Sequence, residues 1–331
     1  MAQRKRNFAF IIMTVMPANI LVSCLLFINS AYAVNPGQVL RRDQIRENIY
    51  GSAILSDRDF LIIGDRGKIF RSVDGGKGWQ EVQSGTRLPL YSVSFVDSKN
   101  GWISGKSGLI LHTTDGGITW SKQGSGTKKH LLGISFGDAR HGCAVGDWGA
   151  VVFTEDGGTT WHDVSLEDDV VLYRVRFVDS QRAWAVGEFG RIFKTVDGGK
   201  KWSPVPSSLE EKSLFCLNVD GESLFAAGLE GVIVYSKDKG KSWQLAKSDS
   251  KESIYGIAVR GQTGWAVGDS GTILYTKDAG ESWQSVEVPE SKKLFWVGTV
   301  ALKNNNPEGS VGFGAGGHGL FFSIKGQKVS W

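Results

Sequence analysis

The chain has 331 residues, with 38 Lys+Arg against 34 Asp+Glu and a formal charge of +4. Arg4, Lys5 and Arg6 supply three of those charges at the extreme N-terminus, so the remainder is almost neutral and carries no electrostatic footprint for nucleic acid. Gly is abundant at 44 residues and Pro scarce at 7, which excludes a Pro-rich disordered linker and indicates many tight turns.

The N-terminus reads as an export signal. "RKR" at 4–6 is a basic region, an apolar stretch runs from Phe8 to Ile28, and "AYA" at 31–33 fits a small-x-small cleavage site. Residues 1–33 are then removed and the mature protein starts at Val34, in the periplasm or another extracytoplasmic space. Two other readings stay open: a lipid anchor at Cys24 in "LVSC", and retention of the apolar stretch as a membrane anchor despite Pro17 and Asn19. After cleavage only Cys143 and Cys216 remain. They fall in different repeats and read as small buried hydrophobes rather than as a disulfide.

From Ile49 onward a unit of about 41 residues recurs. Its marker is an octapeptide: "SVDGGKGW" ending at Trp79, "TTDGGITW" at Trp120, "TEDGGTTW" at Trp161, "TVDGGKKW" at Trp202, "SKDKGKSW" at Trp243 and "TKDAGESW" at Trp283. Each unit offers four short alternating runs separated by turn signals, and no segment of the mature chain has a 3.6-residue apolar period. Seven such units, near 49–89, 90–130, 131–171, 172–212, 213–253, 254–293 and 294–331, describe an all-β, seven-bladed β-propeller of four-stranded antiparallel blades. The last unit stops at Trp331 with its Asp-box decayed, so residues 34–48 are expected to supply or cover a strand there and close the ring.

The octapeptide is an Asp-box, and every part of it has a structural task. Asp74, Asp115, Asp156, Asp197, Asp238 and Asp278, each two residues after a Ser or Thr, are expected to lock the turn between strands three and four. Gly supplies positive φ, and the closing Trp buries its ring between sheets. A catalytic site requires convergence at one place, whereas this motif is dispersed around a ring.

The pairing of "VDSQRAWAVGEFGRIFKTVDGGKKW" with "QTGWAVGDSGTILYTKDAGESW" resembles the photosystem II stability/assembly factor family, over residues 49 to about 322. The resemblance implies a non-catalytic propeller that holds a membrane-protein assembly intermediate, located in the thylakoid lumen if the host is a phototroph. The client itself stays open, since the family has relatives outside photosynthesis.

Strand alternation places the Asp-boxes at one end of the ring and the Gly-x-x-Gly turns, with the inter-blade loops, at the other. Those turns carry acids at Asp65, Asp147, Glu188 and Asp269 and a base at Lys106. Turn chemistry alone accounts for acids at such corners. Trp148 and Phe189, at turn tips of adjacent blades, point to a contact patch unless each ring folds back on its own blade. Arg174 and Arg176 stand where other first strands carry small residues. Either they pair with Asp168, Asp169 or Glu188, or they line the axial channel and receive a client carboxylate or polar backbone. Arg87 and "KKH" at 128–130 extend a basic edge or are simply solvated.

Tyr91, Tyr173 and Tyr255 recur at equivalent strand positions and read as core. No zinc spacing, nucleophile elbow or phosphate loop appears, and "GAGGHG" at 314–319 leads into a strand rather than a helix. The expectation is a monomeric, protein-binding, non-enzymatic propeller without metal or cofactor, able to associate with the membrane of its client. The rival is a glycan-binding or sialidase-like hydrolase propeller, though the three-Arg arrangement with a Tyr nucleophile is not evident.

Overall fold

A computed structural model describes residues 39–207, 209, 211–303 and 311–331, so the export signal expected at 1–33 lies outside the described residues. Seven sheets of antiparallel strands follow one another along the chain, six of them four-stranded in sequence order with hairpin connections, and the first with a fifth strand added at its outer edge. Their first strands, Ile49–Ile54, Leu90–Phe95, Leu131–Phe136, Leu172–Phe177, Leu214–Asp220, Ile254–Arg260 and Val297–Leu302, pack side by side, and the last meets the first. The result is a seven-bladed β-propeller. Among the described residues the only helical geometry is single 3-10 turns.

Second strands such as Ala183–Gly187, "AWAVG", are buried along their whole length. They sit mid-sheet with a neighbouring blade on each face, so no position in them meets water and alternation gives way to a continuous apolar run. The core is accordingly a set of layers between blades. One of them joins Leu61 and Ile63 of blade one to Val93, Ile103 and Leu111 of blade two.

The Asp-boxes close the third hairpin of each of the first six blades. In blade two, Thr113 Oγ1 donates to Asp115 Oδ1 (2.7 Å) and accepts from the Gly117 amide (3.0 Å). Asp115 also accepts from the Ile118 and Thr119 amides and the Thr119 hydroxyl. Burial works against that charge, but these donors outweigh it and hold the carboxyl down to about 2. The stability from this lowered pKa is therefore present above the ordinary 3.8 and lost as pH falls towards about 2. The closing Trp departs from expectation in four blades. Trp79 and Trp283 are fully buried, but Trp120, Trp161, Trp202 and Trp243 are half-buried at the outer edge. There the Trp120 and Trp202 indoles donate back to the carbonyl of the box's own second Gly.

The N-terminal segment adds its strand to the first blade, not to the last. Val39–Arg41 pairs outside Gly78–Val82, whereas blade seven makes its own fourth strand, Lys328–Ser330, through a two-residue turn at Gly326 and Gln327. Gly326 has φ +60°, the left-handed geometry such a short hairpin requires, and the shortened turn spares enough chain to finish the blade. Past Arg41 the segment crosses to blade seven: the Gly319 amide donates to Glu47 O (3.0 Å), and the His318 amide donates to Asn48 Oδ1 (3.1 Å). Asn48 Nδ2 in turn donates to Asp65 Oδ2 of blade one (2.8 Å), so one side chain ties the two blades at the seam.

Candidate functional site

Each first strand carries one extra residue near its start. Pairing jumps from Leu90↔Gly105 to Ser92↔Ser104, leaving Tyr91 unpaired as a β-bulge, and the same shift occurs in every blade. The bulged residues are Tyr50, Tyr91, Leu132, Tyr173, Phe215, Tyr255 and Gly298. A bulge turns its side chain off the regular alternation. Instead of entering the inter-blade core, these rings stand around the axis.

They form a belt. Neighbouring centroids lie 5.9 Å apart for Tyr50–Tyr91, 5.1 Å for Tyr173–Phe215 and 5.7 Å for Phe215–Tyr255. Blade seven, with Gly298, borrows a ring from outside the strand: a Cβ on Gly298 would sit 2.3 Å from the Trp296 ring, which occupies that place. Trp296 stacks 5.7 Å from Tyr50 and meets Tyr255 edge-on at 6.4 Å. The reading of Tyr91 and Tyr255 as core residues is therefore corrected, since both are half-buried at the mouth of the axial channel; Tyr173 is buried in the same belt. The belt is broken at one place, blade three, where the bulged residue is Leu132.

Below the belt, Arg174 and Arg176 line the axial cavity together with Ser52, Ser92, Cys216 and Thr299. Its space, open mouth included, is about 400 Å³. Only about 40 Å³ of it is free at the size of a water molecule, so an occupant rests at the mouth with at most a side-chain tip entering, and no folded element fits. Neither Arg pairs with an acid named as a candidate. Asp168 is bound by Arg191 at 3.5 Å, Glu188 accepts from the Val171 amide, and Arg174 Nη1 donates to Leu132 O (2.9 Å), at the gap in the belt. Arg176 has no hydrogen-bond or ion-pair partner among the described residues. Burial, then the charges of Arg174 and Arg260, push its pKa down to about 10. Both guanidiniums remain protonated at neutral pH.

Cys216 beside them is free and buried, as is Cys143, and burial pushes the Cys216 thiol up to about 12. It is a thiol, not a nucleophile.

Above the belt stand the carboxylates of the Gly-x-x-Gly turns. Asp65 accepts from the Tyr50 hydroxyl (2.9 Å) as well as from Asn48. The Tyr173 pKa is raised by burial first and then by the charges of Glu188 and Asp147. Both acids are raised above the ordinary range, in each case chiefly by burial; His130 opposes the shift at Asp147, while Asp169 and Asp147 add to it at Glu188.

The residue after each of these positions forms the turn tip, and all seven tips are left-handed: Arg66, Ser107, Trp148, Phe189, Glu230, Ser270 and His318 have φ between 50° and 59°. A side chain in this region costs about 1 kcal/mol relative to glycine. At Trp148 and Phe189 the rings are also left 55 % and 48 % exposed, so neither backbone nor burial favours them there. Neither ring folds back into its blade.

Other candidates do not join this group among the described contacts. Arg87 is exposed on an inter-blade loop, Lys106 is half-buried in the blade-two turn, and Lys129 is spent on the Trp148 carbonyl (2.9 Å). The aromatic belt was missed by sequence reasoning, although an aromatic at the same position of five first-strand regions, Tyr50, Tyr91, Tyr173, Phe215 and Tyr255, was its visible signal.

The model of the photosynthesis system II assembly factor YCF48 family matches residues 38–128 and 159–252, more than half of the chain. The chain belongs to the YCF48 family. A structure described as YCF48 bound to D1 peptide superposes with a TM-score of 0.67 and 22 % identity, over 87 % of this chain and 96 % of that one. YCF48 from Cyanidioschyzon merolae gives 0.66 and 18 %, over 85 % and 96 %. The same fold recurs in the GH74 xyloglucanase from Xanthomonas campestris, with a TM-score of 0.63 and 11 % identity over 86 % of this chain and 53 % of the enzyme. A search of curated proteins finds no match. At these identities the structural likenesses establish the propeller alone, and membership of the YCF48 family rests on the sequence model.

Proposed function

We propose that this YCF48-family propeller is a non-catalytic, protein-binding assembly or accessory factor that takes an extended segment of a membrane-protein client at the mouth between blades three and four. One observation carries the reading: four features that oppose stability fall on these two adjacent blades. They are the exposed left-handed Trp148 and Phe189, the half-buried Asp147 and buried Glu188, the like-charged Arg174 and Arg176, and the gap in the belt at Leu132. Unfavourable local choices gathered at one place indicate a site kept for binding. A peptide held by a YCF48 in a solved structure supports the same kind of partner here. The work is proposed to occur outside the cytoplasm, on the strength of the N-terminal signal pattern, and by a monomer.

The first test is capture of client proteins from solubilised membranes by immobilised protein, wild type against Trp148→Gly/Phe189→Gly. Glycine removes the left-handed strain, so the variant's unfolding midpoint should rise, by about 0.5–1 kcal/mol per site. Captured client should fall at least tenfold if two aromatic anchors are lost, each worth roughly 1–2 kcal/mol. Undiminished capture by the more stable variant defeats the proposal. The aromatic belt also favours a second reading, stacking on a sugar. Hydrolysis or binding of oligosaccharides, lost when Tyr255 becomes Leu, would establish it in place of the first.

A further inference from the structure

We propose that the mouth end carries a second, separate surface: a basic arc over blades one to three that rests on an anionic lipid bilayer, with Trp148 entering the headgroup layer at the end of the arc. This goes beyond client capture, since neither the axial cavity nor its Arg pair takes part. The arc consists of exposed Arg66, Arg87 and Lys128 and half-exposed Lys106 and Lys129. They come from two Gly-x-x-Gly turns and the inter-blade loops beside them.

Backbone contacts make the arc continuous. The loop with Arg87 packs on the turn with Arg66, where Gly67 stands so close to Thr86 O that a Cβ has no room. The same loop accepts the Lys106 amide at Pro89 O (3.0 Å). The Lys128 loop repeats the pattern: Gly108 abuts Thr127 O, and the Ser107 amide donates to His130 Nδ1 (3.2 Å). Beyond it, His130 O accepts the Asp147 amide (3.1 Å) and Lys129 Nζ donates to Trp148 O (2.9 Å). The cations are therefore neighbours along one rim, and the turn with the exposed indole is fixed at its end.

What marks the arc is uncancelled charge. None of these cations has an ion-pair partner among the described residues. The acids beside them are engaged: Asp65 accepts from Asn48 and Tyr50, and Glu81 pairs with Lys68 (2.6 Å). Past Trp148 the sign changes. Glu167, Asp168 and Asp169 are exposed on the next loop, and the cations there are matched, Arg191 by Asp168 and Lys212 by Glu230. Like charges gathered without counter-ions repel one another and attract a surface of opposite sign. The arc contributes no residue to the axial cavity or to the small cavity beside Trp184. A rim of long cationic side chains ending in an exposed Trp suits a fluid sheet of anionic headgroups, where each cation adds to the attraction and the indole settles at the interface. Contact over blades one to three leaves the opening between blades three and four at the edge of the bilayer contact, not beneath it.

Flotation of the mature protein, starting at Val34 so that Phe8–Ile28 cannot insert, compares vesicles of phosphatidylcholine alone with vesicles of phosphatidylcholine and phosphatidylglycerol in equal parts. Binding to the anionic vesicles should exceed binding to the neutral ones at least tenfold at low ionic strength, and fall as salt screens the arc. Arg66→Gln/Arg87→Gln/Lys106→Gln/Lys128→Gln should lower it to the neutral level with an unchanged thermal midpoint. Client capture by this variant from detergent-solubilised membranes, which offer no bilayer, should stay at the wild-type level. Equal binding to both vesicles, or a preference for phosphatidylglycerol that survives in the variant, overturns the proposal and leaves the client-binding reading standing. Loss of client capture by the variant in detergent, or capture of a poly-Glu peptide in place of anionic vesicles, gives the arc to a protein partner and overturns the lipid assignment as well.

Discussion

Replacing Arg174 and Arg176 together by Met is expected to raise the unfolding midpoint and, in the same protein, to weaken client binding at least tenfold. The two effects have separate causes. In the free protein two like charges sit on one first strand, partly removed from water, with a single hydrogen bond to Leu132 O between them. Exchange of desolvated charges for apolar groups of similar volume is often stabilising by about 1–4 kcal/mol. The lower part of that range applies here, because both guanidiniums look into a channel that admits water and Met forfeits the Leu132 bond. On the binding side, a client carboxylate or carbonyl loses a charge-assisted fork worth roughly 1.5–3 kcal/mol. Differential scanning fluorimetry and peptide titration on the same preparation read both signs. A lower midpoint with undiminished binding would show that the Arg pair serves the ring and not the client.

Arg176 also explains why the pair is unfavourable for the ring itself. In other blades the residue at this level bridges to the next first strand: Ser94 accepts from the Phe136 amide (3.1 Å), Ser135 from the Phe177 amide (3.0 Å) and Asn218 from the Val259 amide (3.0 Å). A guanidinium has no acceptor to offer. Blade four therefore gives up a bond that at least three other blades make, at the level where it presents its charge to the channel.

This contrast was partly legible in the sequence. The small residues at 92, 94, 133 and 135 and the intrusion of Arg174 and Arg176 were visible from repeat alignment, because symmetry turns an exception into a signal. Trp148 and Phe189 were placed at turn tips for the same reason. The channel belt was not legible, because strict alternation assigns Tyr91 to the same face as Val93 and Phe95, and a one-residue bulge breaks that rule without a Gly or Pro inside Leu90–Phe95 to mark it. Trp296 was harder still: it replaces the bulged side chain of its blade from two positions upstream, which no register argument anticipates. The route of residues 39–48 was legible in part: the segment covers blade seven at Gly319 and His318, as expected, but its strand is added to blade one. The decayed last Asp-box leaves no vacancy, because the Gly326 hairpin uses less chain than an Asp-box does.

Gly199→Ala should be among the most damaging single-methyl changes in the protein. The second Gly of an Asp-box is where the hairpin of one blade presses on the second strand of the blade before it. At Gly199 a Cβ would lie 2.1 Å from Cys143 Sγ and 3.3 Å from Phe153 Cβ, and the backbone is at φ +98°. The left-handed backbone alone costs Ala about 1 kcal/mol, and forcing a methyl into a filled layer adds roughly 1–3 kcal/mol. Gly126→Ala isolates the first contribution, since its φ is +76° and nothing lies within 4 Å. Cys143→Ala removes the sulfur that the new methyl strikes, so the double variant Gly199→Ala/Cys143→Ala should recover most of the difference between the two glycine sites, a coupling that urea denaturation of the four proteins measures directly. Additive losses would mean that the box stabilises its own hairpin only. A positive coupling places the Asp-box between blades, where the same residues that fold one turn also hold its sheet against the next, and it accounts for a motif that is repeated around the ring while the binding features are confined to two blades.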